Sequence, residues 1–272
     1  TLIASGDIPD YFYCSLEQFQ TFVRNGIIAP IDDYVADMPH YNALRVDTAQ
    51  QNYNNFTYEG KHYCFTEVEL PGDLNRAGTG GVIVREDWLS KLGLAQPVTL
   101  DELYHVLHAF RYDDPDGNGA NDTYGIGGSI SGSVGSKMFS SIFGAYGIYM
   151  NGATSWMLQD GKLVHSTVAN GVKDVLAVLQ QWYKEDLIDP DMFIIEDQQA
   201  QSKFIAGNFG VWENTVWNAS NARVAWEGAG NDFACGIVAP PTGPEGKKGY
   251  PVNPVKSFGY VMSTKCAETK DP

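Results

Sequence analysis

Residues 114–122 form a run in which oxygen-bearing side chains recur at alternate positions, with glycines between them. The run is Asp114-Pro-Asp-Gly-Asn-Gly-Ala-Asn-Asp122. Hard cations such as Ca²⁺ bind several oxygens at about 2.4 Å, and the first half of an EF-hand loop supplies them at alternate positions. The spacing therefore predicts one structural Ca²⁺ site, with ligands from Asp114, Asp116, Asn118, the carbonyl of Ala120, and Asp122. A solvated turn without metal is the alternative.

The elements on either side of this loop indicate a static calcium staple rather than a switch. Before it, Thr99 and Glu102 form a capping box at the start of a predicted helix over 99–111, which has one apolar face. After it, Tyr124-Gly-Ile-Gly-Gly128 predicts a strand and a turn, not a second helix. Position 12 of the loop is Gly125, where calcium sensors have a bidentate glutamate.

Composition limits the classes of partner. The chain has 272 residues, a length that suggests one large domain or two lobes, and its formal net charge is −15. Such a charge repels the phosphates of nucleic acids and of anionic membranes, so neither is expected as a partner. We find no signal peptide and no apolar run long enough to span a bilayer, and we expect an excised fragment of a longer protein.

The four cysteines show no CxxC spacing, so a zinc ribbon or a redox motif is not indicated. They are Cys14, Cys64, Cys235 and Cys266. Two states remain open from the residues: free buried thiols, or disulfides if the protein is extracellular.

Apolar periodicity predicts an α/β protein, because helices alternate with short apolar strands. Helices are expected at 15–26, 86–92, 136–146, 172–183 and 198–206. Buried strands are expected at 8–14, 81–84, 209–212 and 232–238, together with a hairpin over 58–65 that turns at Gly60.

Several segments, in this order, resemble those of extracellular solute-binding protein family 1, and in particular its lipoprotein-type carbohydrate-binding receptors. They are Leu2-Ile-Ala-Ser-Gly-Asp-Ile-Pro-Asp10, Val84-Arg-Glu-Asp-Trp-Leu-Ser-Lys-Leu-Gly-Leu94, Pro97-Val-Thr-Leu-Asp-Glu-Leu103, Asp114-Pro-Asp-Gly-Asn-Gly119, Tyr183-Lys-Glu-Asp-Leu-Ile-Asp-Pro-Asp191, Phe204-Ile-Ala-Gly207 and Pro240-Pro-Thr-Gly-Pro-Glu-Gly246. Asp186 stands where the subgroup usually has glycine. Each match alone is weak, but their order and spacing together are specific.

The resemblance implies a two-lobed, periplasmic-binding-protein-like (type II) α/β fold, in which hinge strands join the lobes and the ligand is trapped between them. Residues 1–82 and 238–272 would form an incomplete N-terminal lobe, and residues 83–237 the second lobe with the calcium loop. The implied protein is a monomeric extracellular receptor, lipid-anchored at full length. It would deliver an oligosaccharide to the permease subunits of an ABC importer and perform no chemistry. Disulfides become a stronger option in that setting.

The implied ligand site needs aromatic platforms and hydrogen-bonding side chains, because sugars present apolar C–H faces and a rim of hydroxyls. By the resemblance, Trp217 is the first candidate platform, with Glu213 and Asn218 beside it. Trp212 and Trp88 are expected in the core. The further ligand-binding candidates are Thr66, Glu67, Glu69, Arg85, Tyr13 and Trp156.

Two other classes of function are weighed against a receptor. One is a secreted carbohydrate-active enzyme or accessory domain, because Glu67 and Glu69 form a carboxylate pair of the kind that glycoside hydrolysis uses. No HExxH, GxSxG or nucleotide-binding glycine motif supports an enzyme. The other is a calcium-stapled surface domain, or a receptor for a peptide or another polar solute.

Overall fold

The chain divides into two compact units. The computed structural model describes residues 7–45, 47–67, 80–130, 138–149, 156–227, 234–250 and 258–269, and only the backbone of residues 47–48, 216–217, 225–227 and 269. One unit comprises Thr1–Ala77 and Asn253–Pro272, and the other comprises Gly78–Val252. The first unit is therefore discontinuous in sequence, as the resemblance implies.

Eleven strands and eleven α-helices lie within the described residues. The strands are β1 Tyr11–Ser15, β2 Thr57–Tyr58, β3 Lys61–His62, β4 Cys64–Phe65, β5 Gly80–Arg85, β6 Tyr124–Gly127, β7 Trp156–Gln159, β8 Lys162–His165, β9 Phe209–Thr215, β10 Cys235–Val238 and β11 Phe258–Met262. The helices are α1 Leu16–Arg24, α2 Asp32–Ala36, α3 Pro39–Leu44, α4 Asp47–Asn55, α5 Glu86–Leu92, α6 Leu100–Tyr112, α7 Ser140–Ala145, α8 Val172–Lys184, α9 Asp197–Ile205, α10 Val216–Glu227 and α11 Thr264–Thr269.

The first unit contains an antiparallel three-stranded sheet in the order β1-β11-β4. Cys14, Cys64 and Val261 lie on its core face, where they pack with Phe19 of α1 and Phe56. The opposite face carries Tyr11 and Tyr13, which remain 50% and 52% exposed. The prediction of a buried strand over 8–14 is therefore wrong for that face, because a short aromatic run does not distinguish burial on one face from burial on both.

The second unit contains a four-stranded sheet in the order β10-β5-β9-β6. β5 is antiparallel to both of its neighbours, and β9 is parallel to β6. The predicted lobe boundaries, after residues 82 and 237, fall inside this unit. The reason is that the whole of β5 and the whole of β10 pair within one sheet, so residues at the start of β5 and after β10 stay with it.

The core of the second unit confirms the two tryptophans expected there. Trp88 of α5 and Trp212 of β9 are 2% and 0% exposed. Trp88 meets Phe110 of α6 edge to face, with ring centroids 5.3 Å apart. α6 follows its predicted capping box, since the Thr99 side chain accepts from the Glu102 N–H and the Glu102 side chain from the Thr99 N–H. Local capping and one apolar stripe were sufficient to define this helix.

The helix predicted over 136–146 is shorter in the structure. α7 begins at Ser140, because Phe139 adopts a left-handed backbone conformation with φ of 64°. A right-handed helix requires negative φ, so it does not extend backward through this position. The first residues of the predicted span lie outside the described residues.

All four cysteines are free thiols, three of them buried. In the described part of the chain, no helix combines the length and the apolar character needed to cross a membrane.

Candidate functional site

The acidic loop connects α6 to β6, and its C-terminal end is fastened to α6. Nη1 of Arg111 donates to the carbonyl oxygens of Asn121 and Thr123, at 2.5 and 3.2 Å. The Thr123 hydroxyl donates to the Phe110 carbonyl at 2.6 Å. These contacts hold the C-terminal end of the loop against α6.

Asp114 organises the first half of the loop. Its carboxylate accepts the backbone N–H groups of Gly117, Asn118 and Gly119 at 2.9, 3.0 and 3.1 Å. Gly117 and Gly119 have φ of 78° and 81°, which glycine adopts without steric cost. Desolvation raises the pKa of Asp114, but these hydrogen bonds outweigh it, so its pKa lies below the usual range.

Three carboxylate oxygens converge on one nitrogen in the second half of the loop. Nδ2 of Asn118 donates to Oδ2 of Asp116 at 2.9 Å and to both oxygens of Asp122 at 3.2 Å. Desolvation, together with the charges of Asp122 and Asp114, raises the pKa of Asp116.

The donor set fits a hard cation, but the oxygens do not surround one common point. Within the described ranges, no group of three His, Cys, Asp or Glu side chains is arranged to hold a metal. Asp114 turns toward backbone N–H groups, and the Asn118 amide lies where Asp116 and Asp122 meet. The calcium site therefore stays a prediction.

Glu213, expected to contact ligand, lies in the interior of the second unit. It is on β9 and only 1% exposed. Oε2 accepts from Oγ of Ser140 at 3.2 Å and from the N–H of Ser141 at 3.1 Å, and Oε1 accepts from the Ser141 hydroxyl. Burial raises the pKa of Glu213 to about 7, although these hydrogen bonds oppose the rise.

Sequence reasoning did not identify the groups that surround Glu213. The two serines are about 72 positions away along the chain, and two adjacent serines carry no signal for such a contact. Tyr250, after β10, is the titratable group facing Glu213, and its pKa is raised by its own burial and by the Glu213 charge.

The segment after Glu213 carries the other two candidates in this region. The Oδ1 atom of Asn214 accepts from the N–H of Thr215 at 2.7 Å and from Nδ2 of Asn218 at 2.8 Å. Asn218 is therefore tied to the end of β9. Trp217 lies in the first turn of α10, and its side chain is outside the described part of the structure. Its role as a platform stays a prediction.

Arg85 is buried and engaged within the second unit. It is 5% exposed, and its guanidinium donates to both oxygens of Asp87, at 2.8 and 2.5 Å. It also lies over the ring of Trp88, 4.5 Å from the centroid. These contacts explain its position by packing, and a contact with ligand stays a prediction.

The candidates of the first unit differ in exposure. Thr66 is buried, and its polar groups are paired within the unit. Its N–H donates to the Tyr41 hydroxyl at 2.9 Å, and its own hydroxyl donates to the Ala49 carbonyl at 3.3 Å. Glu67 is exposed. Glu69 lies outside the described residues.

Two aromatic candidates are available to solvent. Tyr13 lies 5.1 Å from Phe258 and 6.3 Å from Tyr260 between ring centroids, so three rings lie side by side on one face of the sheet of the first unit. Strand alternation places Tyr11 and Tyr13 on one face of β1, but the row also requires the pairing of β1 with β11. Trp156, 63% exposed, lies on the β7–β8 hairpin of the second unit with its ring edge-on to His165.

A pocket of about 380 Å³ lies elsewhere in the second unit, between the β7–β8 turn, the start of α8 and residues 244–247. Its side chains are mostly polar, and none of the predicted ligand-binding residues lines it. It is therefore separate from the candidate site at the end of β9.

Two α/β units, the second inserted into the first, are the organisation expected of a two-lobed solute-binding protein. The chain belongs to the family described as bacterial extracellular solute-binding protein, whose profile matches residues 1–271. The predicted family and fold class are thereby confirmed. Because this family consists of binding proteins, the prediction that the chain is not an enzyme is confirmed as well.

Curated relatives are similar along most of this chain. It is 29% identical over 225 residues to the polygalacturonan/rhamnogalacturonan-binding protein YtcQ of Bacillus subtilis, and the alignment covers 83% of this chain and 42% of YtcQ. It is 29% identical over 256 residues to the lipoprotein LipO of the same organism, and that alignment covers 93% of this chain and 48% of LipO. It is 28% identical over 253 residues to the fructooligosaccharide ABC transporter substrate-binding protein FusA of Streptococcus pneumoniae, and that alignment covers 90% of this chain and 45% of FusA.

Solved structures of FusA match the fold. The complex with kestose superposes with a TM-score of 0.72 at 25% identity, and covers 97% of this chain and 54% of FusA. An EF-hand mutant of FusA in complex with fructo-nystose gives the same values. The chain spans about half the length of the relatives it matches.

Proposed function

We propose that this chain is the ligand-trapping part of an oligosaccharide receptor that serves an ABC importer. The observation that carries the proposal is the similarity, over nine-tenths of the chain, to FusA, a substrate-binding protein for fructooligosaccharides. YtcQ, named for binding polygalacturonan and rhamnogalacturonan, supports a carbohydrate ligand. Its second lobe would be the unit of residues 78–252, with the remainder in the first lobe.

A neutral oligosaccharide is the ligand class we favour. The chain has a formal net charge of −15, and a polyanion such as polygalacturonate would be repelled by it. Trp217, Tyr13 and Trp156 would supply stacking faces, and Asn218 and Glu67 hydrogen bonds to hydroxyls.

The proposed location is the cell exterior, with a lipid anchor on the full-length protein. Extracellular location follows from the family, and the similarity to the lipoprotein LipO supports the anchor. The proposed partners are the permease subunits of the importer, and the proposed receptor is a monomer.

The acidic loop is proposed to hold one structural Ca²⁺. An EF-hand mutant made in FusA supports such a loop in this family. In this chain the three oxygens of Asp116 and Asp122 gather around a single amide. Asp114, Asp116, Asn118, Asp122 and the carbonyl of Ala120 would hold the ion, which would neutralise the carboxylates and fix the loop.

Calorimetric titration of the purified chain tests the proposed ligand class. The probes are kestose, nystose, trigalacturonate and, as a peptide control, trialanine. We expect kestose or nystose to bind more tightly than trigalacturonate, and chromatography to recover each sugar intact. Binding of trialanine without any sugar would contradict the proposal, and shorter sugar products would indicate a hydrolase.

A further inference from the structure

Glu213 forms a connection between two elements that are distant in the sequence. Glu213 pairs with Val82 in the middle of the β9–β5 ladder, two residues before the end of β9. Its carboxylate receives three hydrogen bonds from Ser140 and Ser141 at the start of α7. Both serines are buried, at 3% and 0% exposure. A carboxylate that accepts several donors in a dry environment forms strong, geometrically defined bonds. Glu213 thus fastens β9 to α7.

The fastened part of β9 leads directly into the candidate binding segment. Asn214 follows Glu213, is 2% exposed, and binds Asn218 at 2.8 Å. Trp217 lies between these two asparagines in the chain, in the first turn of α10. A displacement of Glu213 would therefore pass through Asn214 to the first turn of that helix.

Direct contact between Glu213 and a ligand does not fit this geometry. Both carboxylate oxygens face α7, and 1% of the residue is exposed. Ordinary packing does not explain the residue either, because an apolar side chain of similar size would avoid the cost of removing a charge from water. The carboxylate is explained by the donors that it holds.

We propose that Glu213 is a positioning residue, which holds residues 214–218 in the conformation that binds ligand by fastening the end of β9 to Ser140 and Ser141. This inference rests on the proposed function, since it takes residues 214–218 as part of the oligosaccharide site. Its physical basis is pre-organisation: a segment that is already ordered loses less conformational entropy on binding.

The test compares Glu213→Ala, Glu213→Gln, Ser141→Ala and the Glu213→Ala/Ser141→Ala double variant. The matched control is Glu185→Ala, which removes a carboxylate of the same unit that accepts from Tyr104 at 2.9 Å. Each protein is titrated with kestose and nystose. Hydrogen–deuterium exchange is then measured for backbone amides 140–145 and 214–218 without ligand.

We expect Glu213→Ala to weaken binding about tenfold, as for loss of one hydrogen bond to a charged group. Glu213→Gln keeps the shape and one acceptor, and should stay within about threefold of the wild type. Ser141→Ala should cost nothing further in the Glu213→Ala background, because the two side chains act as one unit. Exchange of both segments should accelerate in Glu213→Ala and not in the control.

Two results would overturn the inference. Unchanged exchange and affinity in Glu213→Ala, with only a lower melting temperature, would make Glu213 an ordinary core residue. Equal losses of affinity in Glu213→Gln and Glu213→Ala, with unchanged exchange, would make it a direct ligand contact. If the wild type binds no sugar, the proposed function fails while exchange still decides whether Glu213 fastens the segment. Should Glu213→Ala not fold, Ser141→Ala provides the same comparison from the other partner.

Discussion

The buried carboxyl of Glu213 makes stability depend on pH in a direction opposite to that of a paired surface acid. Burial raises its pKa to about 7. An unfolded chain gives a glutamate a pKa of about 4.3. At about 1.4 kcal/mol for each tenfold change in proton affinity, the ionised carboxyl lowers the free energy of unfolding by about 4 kcal/mol.

The sign follows from where the proton is held. Below about pH 4, both the folded and the unfolded chain hold the proton, so the group has no net effect on stability relative to its neutral form. Between about pH 4 and pH 7 the unfolded chain releases the proton and the folded chain keeps it, so stability falls as pH rises. Above about pH 7 the full loss is present, and the curve flattens again.

Glu213→Gln removes this titration while keeping the shape of the side chain. The difference in free energy of unfolding between variant and wild type should therefore shift by about 3 kcal/mol in favour of the variant from pH 4.5 to pH 8. Urea denaturation at several pH values, followed by far-ultraviolet circular dichroism and tryptophan fluorescence, measures it. Glu17→Gln, an exposed glutamate of α1, is the control.

Parallel stability curves for Glu213→Gln and the wild type would refute the reasoning. They would mean that the three hydrogen bonds from Ser140 and Ser141 offset the desolvation of the carboxylate. A shift of the same size in the Glu17→Gln control would show instead that the pH dependence comes from the net charge of the protein.

Three further predictions concern the metal loop, the proposed platform and a buried ion pair. Removing Ca²⁺ with a chelator should lower the melting temperature, since an ion at a hundredfold excess over its dissociation constant stabilises the folded state by about 2.7 kcal/mol. Asp116→Ala should abolish the difference in melting temperature between protein with and without chelator. Equal melting temperatures in the wild type, with the metal shown to be removed, would contradict the site. Trp217→Ala should weaken kestose binding by about 1 to 3 kcal/mol with little change in stability, whereas lower stability with unchanged affinity would assign Trp217 to the core. Asp189 is 0% exposed, and its carboxylate lies 2.5 Å from Nζ of Lys203. Lys203→Met should lower the free energy of unfolding by about 3 kcal/mol, because it leaves this carboxylate buried without its cation. A loss below about 1 kcal/mol in urea denaturation would show that water reaches Asp189.

The sequence alone determined those features that depend on neighbouring residues. The capping box of Thr99 and Glu102 and the apolar stripe behind it defined α6 almost to the residue. The hairpin turning at Gly60 formed as predicted, because Glu59 and Gly60 take up the positive φ values that a tight turn requires. The ordered segments along the chain also identified the family, since each is a local pattern.

Only the tertiary structure decided which side chains meet. Glu213 and Ser141 are 72 positions apart and are joined because β9 lies beside α7; no local pattern encodes that neighbourhood. Arg85, at the end of β5, is expected to contact ligand, and the structure adds that its guanidinium binds Asp87 and lies over the ring of Trp88. The exposed row of Tyr13, Phe258 and Tyr260 depends on the pairing of β1 with β11, about 245 residues later. Strand pairing and burial are properties of the whole chain. The surroundings of these side chains therefore depend on long-range contacts, which local sequence patterns do not predict.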